Sequence, residues 1–165
     1  VTTIDYGNQT FTIAERGSVS AVPATDGVTV PLRLTSSGFL SGEVQLEGVE
    51  SPLNFIVDTG ASVSVISDEV ANLDAIDPFE QRERMRVIGA AGVTEDVPSY
   101  LLPRVSLGAN SIASITAIAL DLDMINEASG FEQAGILGGN FLRNYRMTFD
   151  VKNSQVTFVP IEKVP

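Results

Sequence analysis

Histidine and cysteine are both missing from this sequence. Without histidine, the Ser–His and Cys–His pairs that activate many hydrolytic nucleophiles cannot be assembled. Without either residue, a zinc site would need carboxylates alone, an uncommon ligand set. Disulfides are excluded, so cysteine usage says nothing about the redox compartment. Basic residues are scarce: 10 Lys and Arg stand against 21 Asp and Glu, a net charge of −11. That balance argues against nucleic acid or an anionic membrane surface as a partner, since both reward clustered Lys and Arg. No apolar run approaches the ~18 residues of a membrane helix, and no N-terminal segment resembles a signal peptide. The sequence starts at Val1 rather than Met, which fits a processed product or a cut fragment. Any membrane attachment is therefore expected only through segments outside this chain.

What is present is a chain of 165 residues, 44% hydrophobic and 19% charged, enough for one domain with a real core. If it is an enzyme, acid–base work falls to carboxylates, Lys or Tyr. The stretch that stands out runs Leu53-Asn54-Phe55-Ile56-Val57-Asp58-Thr59-Gly60-Ala61-Ser62. Its β-branched and aromatic residues predict a buried strand. The strand delivers one carboxylate to a glycine-permitted turn. A charge placed there must be met by hydrogen bonds or put to use, which makes Asp58 the candidate catalytic group. On its own, Asp-Thr-Gly is also an ordinary turn closing a strand.

Alternation of period two, broken at short intervals by turn residues, predicts an all-β barrel or sandwich. Residues 1–27 are read as an N-terminal extension, with a hairpin of Ile4, Tyr6, Phe11 and Ile13 around Gly7-Asn8. Residues 28–165 form the main domain. There Val28, Val30, Leu32 and Leu34 alternate on one face. Leu40 to Leu46 follow a Ser36-Ser37-Gly38 turn. Ser67 is placed to cap a short helical turn containing Asp68, Glu69 and Val70. Residues 74–84 read as a solvated loop. Two strand-like arms, Met85 to Ile88 and Val93 to Val97, flank the small residues Gly89-Ala90-Ala91-Gly92 and predict a mobile hairpin. Leu101 to Leu107 and Ile112 to Leu122 form a further pair, and residues 121–132 read as an acidic irregular loop. A short apolar strand, Ile136-Leu137, leads through Gly138-Gly139 into a helix opening at Asn140. Met147 to Val151 and Val156 to Val159 close the chain as a hairpin.

Apolar-apolar-Asp58-Thr59-Gly60-Ala61-Ser62, the small-tipped hairpin after it, and Ile136-Leu137-Gly138 after that together resemble the retropepsin-like aspartic proteases, in particular the bacterial single-motif group. The resemblance covers residues 28–160. It implies a closed acid-protease barrel with one short C-terminal helix (Asn140 to Tyr145) and a flap. Asp58 would be the catalytic residue, with Thr59, Gly60, Ala61 and Ser62 supporting it. Ile88, Gly89, Ala90, Ala91 and Gly92 would cover bound peptide. Ile136, Leu137 and Gly138 would line the strand beside the active site. No metal or cofactor is called for.

The sequence contains a single Asp-Thr-Gly, and Asp150 lacks a following glycine. The resemblance therefore implies an endopeptidase that is complete only as a homodimer, acting on protein or peptide substrates. The alternatives are a catalytically weak peptide-binding domain of the same fold, or a structural β domain in which Asp58 only closes a turn. The viral members carry acidic residues near Ser62 and Ser64 and Arg in place of Gly139, so the dimer interface is expected to differ. An exported, periplasmic or membrane-attached location is implied by the resemblance alone.

Overall fold

The computed structural model describes residues 1–15, 17, 27–89 and 92–161. In chain order the strands are Thr2–Asp5 (β1), Thr10–Ile13 (β2), Val28–Pro31 (β3), Arg33–Leu34 (β4), Leu40–Leu46 (β5), Leu53–Val57 (β6), Ser64–Ser67 (β7), Met85–Gly89 (β8), Gly92–Val97 (β9), Ser99–Leu107 (β10), Asn110–Leu120 (β11), Gly135–Leu137 (β12), Tyr145–Asp150 (β13) and Gln155–Pro160 (β14). Three short helices join them: Asp68–Ala71 (α1), Asp123–Ser129 (α2) and Gly139–Leu142 (α3).

Strands β10, β11, β7, β12, β6 and β5 bond side by side in that order, and β10 pairs back onto β5 through Val105↔Leu46 and Leu107↔Val44. The result is a closed six-stranded barrel, and closure leaves no free edge among these strands. Apolar residues fill it: Val44, Leu46, Phe55, Ile66, Leu107 and Leu137 are all essentially inaccessible. Strand β12 lies parallel to β6 and antiparallel to β7. It is thus hydrogen-bonded on both sides, as its unbroken Ile136-Leu137 pattern suggests.

An antiparallel sheet in the order β2-β1-β13-β14-β3 makes the second layer. The chain passes from it to the barrel at Leu32, whose N–H donates to Ser154 O (2.8 Å). Beyond that point Arg33–Leu34 pairs with β5 instead of β14. Val30 and Leu32 are buried as their alternation predicts, but this change of sheet leaves Leu34 52% exposed. Strands β8 and β9 pair with each other as a separate two-stranded sheet.

Helix α1 begins where the sequence indicates, with Ser67 Oγ accepting from Val70 N. Two other readings need correction. Residues 121–132 are not an irregular loop, because Asp123–Ser129 is helical and ends at Gly130 in the left-handed conformation (φ 77°). The last helix spans Gly139–Leu142 rather than Asn140 to Tyr145, and its capping residue is Gly138, with no side-chain cap. Tyr145 already belongs to β13, where its ring stands edge-on to Phe158 (5.4 Å between centroids) and packs on Phe141 (5.6 Å). These aromatics seat α3 between the five-stranded sheet and the barrel.

Candidate active site

Strand β6 enters the barrel with Phe55, Ile56 and Val57 buried and ends at Asp58, which is half-buried. The Asp58 N–H donates to Leu137 O (3.1 Å), the last bond of the β6–β12 register. Its carboxylate Oδ1 accepts the N–H of Gly60 (2.8 Å). That bond holds the carboxylate against its own turn. A Cβ on residue 60 would lie 3.2 Å from that same oxygen, so glycine keeps the turn tight. Thr59 and Gly60 are exposed. The turn therefore presents its carboxylate at the surface.

The segment from Ala61 to Ser64 hangs on the chain between β12 and α3. Gly139 N donates to Ala61 O (2.7 Å) and Asn140 N to Ser62 O (3.1 Å). Gly138 lies so close that a Cβ would come within 2.5 Å of Val63 O. The resemblance implies that Ile136, Leu137 and Gly138 lie beside the Asp58 strand, and the register puts Ile136 opposite Ile56 and Leu137 opposite Val57.

Sequence reasoning missed the side chains at this joint. Asn140, expected to cap the helix, turns its carboxamide inward: Oδ1 accepts Ser64 N (3.0 Å) and Ser64 Oγ (2.8 Å), and Nδ2 donates to Thr116 O (2.6 Å). Ser64 Oγ in turn accepts Gly138 N (3.1 Å). Ser64, Thr116 and Asn140 are far apart in sequence, and the pairing of β7 with β11, which sets Ser64 opposite Ala117, and with β12 brings them together.

The β8–β9 hairpin stands over the same region. Met85 and Val87 are half-buried and pack on the apolar cluster of Val65, Val97, Ile118 and Leu122. Ile88 and Val93, paired across the hairpin, are 76% and 52% exposed. Gly89 and Gly92 close the described part of the hairpin, and Ala90 and Ala91 lie outside the described residues. Between hairpin and barrel runs a groove of about 520 Å³ whose lining includes Asp58, Gly60, Val63, Val87, Ile88 and Leu120. A larger recess, about 670 Å³ and lined by Glu80 to Met85, lies elsewhere and does not include Asp58.

A closed barrel with an Asp-Thr-Gly turn at the mouth of a groove defines a retropepsin-like fold. The sequence model of the aspartyl protease family matches residues 42–141, a stretch that contains the Asp58 turn, the hairpin and the β12–α3 joint, and the chain belongs to that family. Among solved structures the chain is similar to a retropepsin-like aspartic protease from Rickettsia conorii, with a TM-score of 0.54 and 17% identity over 80% of this chain and 89% of the other. At that identity the likeness speaks for the fold. No curated protein sequence matches the chain.

Proposed function

We infer that the protein is an aspartic endopeptidase whose active centre is completed by a second copy of the same chain. The observation that carries this reading is the surface position of the Asp58 carboxylate, held by the Gly60 N–H at the mouth of an apolar groove, in a sequence with one Asp-Thr-Gly. The chemistry needs two carboxylates facing one water. One takes a proton from the water as its oxygen attacks the scissile carbonyl. The other, protonated, donates a hydrogen bond to the carbonyl oxygen. Collapse of the tetrahedral intermediate then returns a proton to the departing amine. Two carboxylates about 3 Å apart cannot both ionise, so the pair shares one proton and titrates as a unit.

A two-fold dimer supplies the second Asp58 naturally, since an axis beside the exposed turn sets each copy's carboxylate against the other's. In that arrangement Thr59, also exposed, binds its counterpart across the axis. The β8–β9 hairpin acts as the flap. Extended peptide lies beneath it, pairing by main chain, with Ile88 and Gly89 to Gly92 covering it. Residues 28–165 form the protease domain, and residues 1–27 are an N-terminal extension.

The test is digestion of casein between about pH 3 and 6 with and without a statine-type inhibitor, by the parent and by Asp58→Asn. Inhibitor-sensitive cleavage by the parent alone supports the reading. Equal cleavage by Asp58→Asn ends it.

A further inference from the structure

The turn that begins at Asp58 is fixed at its near end by main-chain bonds, Asp58 N to Leu137 O and Gly139 N to Ala61 O. At its far end, where it re-enters the barrel at Ser64, the main-chain bond from Asn140 N to Ser62 O is joined by a side chain. Ser64 opens β7, and its N–H goes not to a neighbouring strand but to Asn140 Oδ1, which also receives the Ser64 hydroxyl. The Asn140 amide nitrogen reaches across to Thr116 O on β11, and Ser64 Oγ accepts from Gly138 N. One carboxamide therefore ties β7, β11 and the β12–α3 joint together.

The partners also determine which way the amide faces. Reversed, Nδ2 would meet the Ser64 N–H donor and Oδ1 would meet the Thr116 carbonyl, so both ends would be mismatched. Aspartate keeps the acceptor but sets a second acceptor against Thr116 O. Leucine supplies neither group. Between the two anchors Thr59, Gly60 and Ser62 are exposed, so the direction of the turn depends on its hydrogen bonds at Ala61, Ser62 and Ser64. That direction decides where the Asp58 carboxylate points.

We propose that Asn140 is a positioning residue for Asp58, its carboxamide locking the far end of the turn that the carboxylate begins. The rate effect of this role rests on the protease reading, whereas its structural effect does not. In this chain, Asn140→Ala lowers kcat on an internally quenched casein-derived peptide by about 10- to 100-fold, with KM little changed. It speeds amide exchange across residues 59–64 at least about tenfold, leaves β13 and β14 unchanged, and moves the Asp58 carboxyl titration followed by carbon-13 NMR. Ser64→Ala keeps the carboxamide and produces smaller changes of the same kind, which makes it the probe if Asn140→Ala does not fold. Ser64→Thr retains the hydroxyl and restores parental kcat.

A lower melting temperature with unchanged kcat, exchange and Asp58 titration overturns the proposal. A parent that cleaves no casein at any pH removes the protease reading. The exchange and titration of Asn140→Ala then still decide the role of Asn140, a faster turn and a moved midpoint upholding it and no change refuting it.

Discussion

The two walls of the groove are held in opposite ways. On the barrel side, the Asp58 turn is anchored by backbone and side-chain bonds to Leu137, Gly138, Gly139 and Asn140, over a core that excludes solvent. On the other side, among the described residues the β8–β9 hairpin pairs only with itself, rests at its base on Met85, Val87 and Val97, and carries exposed Ile88 and Val93 towards its tip. An ion pair across it, Arg86 Nε to Glu95 Oε1 at 3.5 Å, is exposed at both ends, and such pairs contribute about 0–1 kcal/mol. The contrast shows a division of labour. On the proposed protease reading, chemistry that needs a carboxylate held to fractions of an ångström is built on the over-determined wall. On the same reading, contact with a variable ligand falls to the less constrained wall.

Substitutions can break or sharpen that contrast. The largest effect is expected at the carboxylate, where Asp58→Asn lowers peptide cleavage by about 10³-fold or more. Because Asn can still accept the Gly60 N–H, thermal melting should show a parental fold. Next comes the joint beneath it. Gly138→Ala forces a methyl to within 2.5 Å of Val63 O, and chemical denaturation should show a loss of about 3 kcal/mol. A change on the hairpin should separate the two walls. Ile88→Ser is expected to alter stability by no more than about 0.5 kcal/mol while raising KM for peptide roughly tenfold, an effect read by steady-state kinetics.

The smallest effect serves as a control in the five-stranded sheet, away from both walls. The Asn8 N–H, and to a lesser degree its side-chain amide and the charge of Arg146, hold the Asp5 carboxyl below its ordinary 3.8, although burial opposes them. A carboxyl with a lowered folded-state pKa stabilises the fold fully above the unfolded value and progressively less as pH falls through the folded one. Melting curves of parent and Asp5→Asn should therefore differ at neutral pH and begin to converge only as pH falls past about 3.8. Cleavage by the two proteins should match at any pH where both are folded.

Much of the barrel wall was legible in the sequence because its signals are local. An apolar run stops at Asp58, a glycine follows within two residues, and Ser67 precedes an acidic first turn. The hairpin was legible for the same reason, through its paired arms and small-residue tip. What escaped reading depends on distance. Nothing near Asn140 indicates that its amide is already engaged by Ser64 and Thr116, so helix-start rules assigned it to the wrong partner. Helix α2 was missed because Leu122 caps it without a side-chain bond. Its short Asp123–Ser129 span also leaves Met124 exposed while Ile125 packs inward, too few turns for a period to show. The sheet change at Leu32 is likewise set by a partner, Ser154, far along the chain.

The central claim is that each chain carries half of an active centre. It is tested most directly by adding to the parent about a tenfold excess of the Asp58→Asn chain, allowing subunits to exchange, and measuring peptide cleavage per parent molecule. Pairing across a two-fold axis predicts a fall of about tenfold, because most parent chains then face a partner without the acid. An unchanged rate would mean that one chain cleaves alone, and would contradict the account.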